Sequence, residues 1–271
     1  MDLGVRSPLV DFFKRGEVAK DVRLLAARGA LAPRAHEQMA LLALLTEDGD
    51  EEIRAAAEAT LALIPVETLA AFIGRTDVSE GMREFFRGRG VEPVPGADTE
   101  ADDPLVDTDS AEDAGQPDAR GEGETEGEAT EDERMSASQR LGGLNVAQRM
   151  KVGMKGTKEE RAILIRDPNK LVSVAVLSSP KLTESEVESF AKMANVSEEV
   201  LRIIGMNRAW IKNYGVVSAL AKNPKTPLAV SLKFVQRLND RDLKMIALDR
   251  NLQEPLKLAV RKRITEGQSK K

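Results

Sequence analysis

Residues 195–222 read NVSEEVLRIIGMNRAWIKNYGVVSALAK, and the residues that follow directly, 223–250, read NPKTPLAVSLKFVQRLNDRDLKMIALDR. The two stretches have equal lengths and carry residues of similar character at equal positions. Each begins with Asn, and the interval of 28 residues continues in both directions through Asp167, Asn195, Asn223 and Asn251. Repetition at a fixed period is typical of repeat architectures, so this region predicts a stack of equivalent units.

Four columns of the repeat keep their apolar or small character. With the Asp or Asn as position 0, they are position 5 (Val172, Val200, Leu228, Leu256), position 9 (Val176, Ile204, Leu232, Val260), position 15 (Leu182, Trp210, Leu238) and position 24 (Ala191, Ala219, Ala247). Their spacing predicts a short helix over positions 4–11, a turn, and a second helix over positions 17–27. Each unit is therefore predicted to be a helical hairpin that buries its apolar stripe against its neighbours.

Residues at the expected helix ends support these hairpins. Ser197 and Thr226 have side chains suited to N-caps of first helices. Thr183 and Glu186 have the spacing of a capping box at the start of a second helix, and Asn239 stands at the equivalent place one unit later. A fainter copy precedes Asp167, so the array is predicted to hold about four and a half units.

Residues 1–92 predict a second helical module of about five short helices. Within residues 50–65, apolar residues form one helical stripe, namely Ile53, Ala56, Ala57, Thr60, Leu61 and Ile64. This segment resembles the second helix of a HEAT repeat. The repeats of residues 135–271 resemble an armadillo or HEAT-type α-solenoid, with units as short as those of the leucine-rich repeat variant family, and residues 195–227 also resemble bacterial helical-repeat proteins. These resemblances imply an all-α solenoid and no particular reaction.

The charges are strongly segregated along the chain. Residues 1–92 carry 12 basic and 16 acidic side chains, residues 93–134 carry 2 and 16, and residues 135–271 carry 26 and 13. The middle stretch has few apolar residues, Leu105 and Val106 among them, so it cannot offset the chain entropy lost on folding. We predict a disordered acidic linker, acting as a spacer or as a regulatory segment that folds over the basic C-terminal module.

The sequence offers no motif for catalysis, for a cofactor or for a metal. It has no cysteine, and His36 is the only histidine, so we predict a surface or packing role for His36. The longest apolar run, at residues 39–45, is too short to span a bilayer, and the N-terminal residues do not resemble a signal peptide. We therefore expect a cytoplasmic protein that is not an enzyme.

The repeat register selects candidate partner-binding residues. Tyr214 occupies position 19, where sister units have Glu186 and Asp242, so it is predicted to face solvent. Trp210 shares its column with leucines, so it is predicted to pack in the core. Basic residues are predicted to align into ridges on the stacked units, at Lys181, Arg208, Lys212, Lys222, Lys225, Arg237 and Arg250. The simpler interpretation of these ridges is a charged, solvated surface.

Three functional classes follow from these observations. The first is a protein-binding scaffold or adaptor that presents a helical-repeat surface, its basic module suiting an acidic protein partner or the chain's own linker. The second is a nucleic-acid-binding protein that uses the basic array, although aromatic residues make up only 3% of the chain. The third, an enzyme, rests only on analogy with helical-repeat folds that have lyase or glycosylase activity.

Overall fold

The computed structural model of this protein describes residues 3–5, 7–32, 34–94, 102–106 and 131–268. These residues form sixteen α-helices and two short 3₁₀ helices, with no β-strand among them. The all-α fold class expected from the repeat pattern is confirmed. The described residues fall into two compact units, the first within Met1–Lys155 and Ser178–Pro180, the second within Gly156–Leu177 and Lys181–Lys271.

Eight helices belong to the first unit. They are α1 (Pro8–Lys14), α2 (Lys20–Ala27), α3 (Ala35–Leu45), α4 (Glu51–Leu63), α5 (Val66–Gly74), α6 (Glu80–Arg87), α7 (Glu131–Gly142) and α8 (Val146–Lys155). The two units meet in the chain after Lys155, whereas the sequence places the C-terminal module from residue 135 onward.

The core of the first unit is built around α3. This helix, AHEQMALLALL, is apolar on nearly all sides and packs against α1, α2 and α4, which is where an all-round apolar helix can be buried. The stripe predicted on α4 points inward, with Ile53, Ala57 and Leu61 buried. Asp50 caps α4, because its carboxylate accepts a hydrogen bond from the amide of Glu52 at 3.0 Å.

The predicted linker, residues 93–134, lies largely outside the described residues, at 95–101 and 107–130. Its residues 102–106 are described, and they pack against α3 in the first unit. The acidic composition predicted no such contact, because composition reports the average of a segment and not a local match to a groove.

The second unit contains four first helices and four second helices in alternation. In chain order the helices are α9 (Lys158–Leu164), α10 (Lys170–Leu177), α11 (Glu184–Lys192), α12 (Glu198–Met206), α13 (Tyr214–Lys222), α14 (Leu228–Phe234), α15 (Asp240–Leu248) and α16 (Glu254–Gln268). The 3₁₀ helices Trp210–Lys212 and Val235–Arg237 lie in the turns before α13 and α15.

The helices of the second unit stack in two rows. The even-numbered helices contact one another in sequence, α10 with α12, α12 with α14 and α14 with α16, and the odd-numbered helices do the same from α9 to α15. Each even-numbered helix from α12 to α14 is also packed against a neighbouring odd-numbered helix. This is the arrangement expected for stacked hairpins, in which a unit buries its apolar stripe against the next.

The structural period departs from a constant 28 residues. The even-numbered helices begin at Lys170, Glu198, Leu228 and Glu254, so the intervals are 28, 30 and 26 residues. The turn containing the Trp210–Lys212 helix is longer than its equivalents, and the turn after α14 is shorter, so the two changes cancel over two units. A turn can absorb two residues without cost to the core, which is why the outer columns of the repeat still align.

This shift corrects the predicted core columns in the third unit. Val230 and Phe234 are buried at the places assigned to Leu228 and Leu232, and Leu232 is 38% exposed. Likewise, fully buried Ala221 is the structural equivalent of Ala191, the place assigned to Ala219.

The helix caps were predicted well, with one exception. Ser197 caps α12, and Thr183 with Glu186 forms a capping box on α11, as predicted. Asn239 caps α15 through the amide of Asp242 at 2.8 Å. Thr226 is not the N-cap of α14, because the helix begins one residue later and Pro227 takes that place.

A buried ion pair joins α9 to α11. Arg161 and Glu186 are only 5% and 3% exposed, and the Arg161 Nε and Nη2 atoms both donate to Glu186 Oε1 at 2.9 Å. Glu186 also accepts hydrogen bonds from the amide and hydroxyl of Thr183, so the ion pair is continuous with the capping box.

Over the described residues, no single helix combines the length and the apolarity that a membrane span requires. Helices α4 and α5 pass that test only as a pair, and they meet at a bend of 90°.

Candidate partner-binding grooves of the second unit

An open groove of about 370 Å³ lies between α11 and α13, and we call it the α11–α13 groove. Glu188 and Lys192 of α11 form one wall. The other wall and the end of the groove are formed by Tyr214, Gly215, Ser218, Ala219, Lys222, Asn223 and Pro224. The lining combines an aromatic ring, a hydroxyl and both signs of charge, so it can accept a polar surface with an apolar anchor.

The α13 wall is held in place by Asp242 of α15. Tyr214, Ser218 and Lys222 are four residues apart, so they share one face of α13. All three donate to the Asp242 carboxylate, Tyr214 Oη at 2.5 Å, Ser218 Oγ at 3.0 Å and Lys222 Nζ at 2.7 Å. The amide of Asn239 donates to Tyr214 Oη at 3.1 Å. The Tyr214 ring is thus fixed, while the residue remains 41% exposed.

The same contacts shift the acidities of the two partners. Burial alone would raise the pKa of Asp242, but the hydrogen bonds from Lys222, Tyr214 and Ser218 outweigh it and hold this pKa below its ordinary value. Burial and the hydrogen bond to Asp242 raise the pKa of Tyr214. The phenol therefore remains protonated at neutral pH and can donate to the carboxylate.

Gly215 allows α11 and α13 to approach closely at the groove. A Cβ atom at this position would lie 2.2 Å from Glu188 Oε2, so any side chain here would displace the carboxylate. Glu188 is held over Gly215 by Lys192, whose Nζ lies 2.6 Å from Glu188 Oε1. The floor of the groove therefore depends on the absence of a side chain at one position.

The structure places the predicted basic residues on two edges of the second unit. Lys181, Arg208, Lys212 and Arg237 lie in turns within hairpins, as predicted, while Lys222, Lys225 and Arg250 lie at or next to loops between hairpins. Because successive helices in a hairpin stack run in opposite directions, these two sets of loops lie at opposite edges. The α11–α13 groove runs between the edges, from Tyr214 at the start of α13 to Lys222 at its end.

Two of the predicted basic residues are engaged within the protein. Lys222 pairs with Asp242, and Arg237 Nη2 donates to the carbonyl of Ile211 at 2.6 Å. Lys181, Arg208, Lys212, Lys225 and Arg250 are exposed. Trp210, predicted to pack in the core, is partly exposed in its 3₁₀ helix, because the longer turn moves it away from the place that Leu238 holds.

A second groove of about 720 Å³ lies at the starts of α12 and α14, where Lys225 and Leu228 line it. It shares Pro224 with the α11–α13 groove. Thr226 also lines it, and among the described residues the buried hydroxyl of Thr226 finds no hydrogen-bond partner. Lys225 is thereby the one predicted basic residue that lines this groove.

The sequence stage did not select Glu188, Gly215, Ser218 or Asp242. A signal was present for Ser218, because Tyr214, Ser218 and Lys222 form a polar stripe at helical spacing on an otherwise apolar helix. The constant 28-residue register hid it, since it placed Tyr214 opposite Asp242 rather than one helix before it.

The Asp242 cluster predicts a specific dependence of stability on pH. A depressed folded-state pKa means that Asp242 stabilises the fold above the unfolded pKa, about 4, and that this contribution is lost as the pH falls through the folded pKa. We expect Asp242→Asn to lower the free energy of unfolding by about 1.5–3 kcal/mol at neutral pH. The loss of stability below about pH 4 should be smaller in the variant. Urea unfolding at several pH values measures both effects.

The matched control is Asp240→Asn, an exposed carboxylate at the start of the same helix. It should leave the steepness of the acid limb close to that of the wild type. Equal acid limbs for wild type and Asp242→Asn would contradict the assignment of the pH dependence to this cluster.

The described residues hold no group of three or more His, Cys, Asp or Glu side chains that could bind a metal ion. Comparison with models of known protein families, with curated proteins and with solved structures gave no match.

Proposed function

We propose that this protein is a non-enzymatic scaffold of the HEAT or armadillo type, which binds a protein partner through the α11–α13 groove. The two rows of stacked helices support the repeat assignment, because first helices contact first helices and second helices contact second helices. Such stacks present extended surfaces whose side chains vary without disturbing the core.

The observation that carries the proposal is the state of Tyr214. Tyrosine is enriched among the residues that dominate binding energy at protein interfaces. Its ring here is exposed, and its hydroxyl is fixed by Asp242 and Asn239, so little side-chain entropy remains to be lost on binding. The charges beside it are paired, Lys192 with Glu188 and Lys222 with Asp242, which favours a polar protein surface over a single strongly charged ligand.

Affinity capture with groove variants tests this function. Full-length wild-type protein and the Tyr214→Ala variant serve as baits in a lysate of the native cell, and recovered proteins are quantified by mass spectrometry. A residue that dominates an interface costs about 2 kcal/mol or more when truncated, so we expect recovery of the specific partner to fall at least about tenfold.

Leu248→Ala is the matched control, since Leu248 of α15 is 82% exposed and lies outside the groove. Its recovery should equal that of the wild type, and thermal melting should show both variants folded. Equal loss with both variants, or no loss with Tyr214→Ala, would contradict the groove assignment. Release of the captured material by nuclease would replace the proposal with nucleic-acid binding by the exposed basic edges.

A further inference from the structure

Residues 102–106 of the acidic stretch bind to the first unit through the start of α3. The amide of Ala35 donates to the carbonyl of Asp102 at 3.0 Å, and the amide of His36 approaches Asp102 Oδ1 at 3.4 Å. The residue at the N-cap place is Arg34, whose guanidinium can only donate hydrogen bonds and cannot cap the helix. The first amides of α3 are therefore satisfied by a segment that is distant in the sequence.

The carboxylate of Asp102 is recognised by basic side chains as well. His36 Nδ1 lies 2.8 Å from Asp102 Oδ1, and Arg75 Nη1 lies 3.7 Å from the same atom. Asp77 holds Arg75 at 2.8 Å and approaches His36 Nε2 at 3.6 Å, while Phe72 packs edge-on against the imidazole. The only histidine of the chain is thus part of a carboxylate-binding site, as well as a packing residue.

Four residues further along, Gln38 recognises the peptide unit of Val106. This side chain is 1% exposed, and its amide group bonds Val106 in both directions, with Nε2 donating to the carbonyl at 2.9 Å and Oε1 accepting from the amide at 3.0 Å. Nε2 also donates to the carbonyl of Gly29 at 2.9 Å, which fixes the orientation of the amide.

The Val106 side chain packs onto Gly29, where a side chain would not fit. Gly29 has a φ of +80°, and a Cβ there would lie 3.2 Å from Val106 Cγ1 and 3.4 Å from Thr60 Cγ2. The first unit therefore carries a groove with three matched elements, a carboxylate site, a backbone-reading glutamine and a small apolar seat. We call it the α3 groove, defined by Gly29, Ala35, His36, Gln38 and Arg75.

We propose that the α3 groove is a recognition site for an extended segment of a partner protein, with a carboxylate followed four residues later by a β-branched aliphatic residue. Residues 102–106 occupy it as an internal competitor. An attached segment competes at an effective concentration in the millimolar range, so a partner segment binds only by displacing it. The groove reads side chains and backbone together, as grooves that bind extended peptides do.

Fluorescence anisotropy with a labelled peptide tests the proposal. The probe is a synthetic peptide of residues 100–108, EADDPLVDT. It is titrated with the full-length wild-type chain and with the full-length variants Val106→Asp and Asp102→Ala, each designed to empty the groove. We expect each variant to bind the peptide at least about tenfold more tightly than the wild type, because the internal competitor is weakened.

Specificity is tested in the peptide, so that the folding of the chain is unaffected. A peptide with Asp102→Ala should lose at least about tenfold in affinity for the emptied chain. A peptide with Asp103→Ala is the matched control, because Asp103 is exposed, and its affinity should be unchanged. Circular dichroism confirms that the variant chains are folded.

A second measurement works in the intact protein. Since the chain has no cysteine, Asp103→Cys introduces a single thiol for a nitroxide spin label. Excess unlabelled peptide should mobilise the label in the spin-resonance spectrum. Unchanged peptide affinity in folded emptied variants, equal weakening by both peptide substitutions, or a label that stays immobile would each overturn the proposal.

Discussion

Replacing Phe234 with Ala lowers the free energy of unfolding of this protein by about 3–5 kcal/mol, the usual cost of truncating a buried aromatic side chain. Phe234 is 3% exposed at the end of α14, which packs between α12 and α16. The cavity would lie at the centre of the row of even-numbered helices, where neighbours from two sides are held in place and cannot collapse into it.

The matched comparison is Leu232→Ala, two residues earlier on the same helix. The constant repeat assigns Leu232 to the core, but it is 38% exposed, so we expect its truncation to cost about 1 kcal/mol or less. Urea unfolding followed by circular dichroism gives both values. A larger loss for Leu232→Ala than for Phe234→Ala would show that the repeat period, and not the shifted register, describes the third unit.

Removing the positive partner of the buried ion pair has an effect of similar size. In Arg161→Leu, the carboxylate of Glu186 is left 3% exposed without its guanidinium, and breaking such a pair costs about 3–5 kcal/mol. The variant Arg161→Leu with Glu186→Gln removes the charge but keeps a residue that can complete the capping box with Thr183. We expect this double variant to be more stable than Arg161→Leu alone.

The control for the buried pair is an exposed one on the same helix. Lys192 pairs with Glu188 at 2.6 Å, and its side chain is 63% exposed, so Lys192→Ala should cost only about 0.3–0.5 kcal/mol. Thermal and urea unfolding of the four proteins measure these differences. If Arg161→Leu cost no more than Lys192→Ala, the pair would be screened by water, contrary to its burial.

The hairpins and the grooves differ in how far the sequence predicts them. Caps such as Ser197 on α12 and Thr183 with Glu186 on α11 are local, because the side chain and the amide it bonds are three residues apart. The α11–α13 groove depends on Asp242 and Gly215, whose effects arise between helices that are neighbours only after stacking. Pattern analysis selected Tyr214, and the structure supplied the contacts that fix its orientation.

The sequence alone determined the all-α fold, the alternation of helices and most of their ends, because periodicity and capping act within one or two helical turns. The tertiary structure decided the register, since a turn such as Trp210–Lys212 can gain two residues while the next turn loses them, and only packing shows that Phe234 rather than Leu232 is inside. It also decided that residues 102–106 bind the α3 groove. That contact needs a histidine, a glutamine and a glycine held together by α3 and its neighbours, and no local pattern in an acidic stretch can report it.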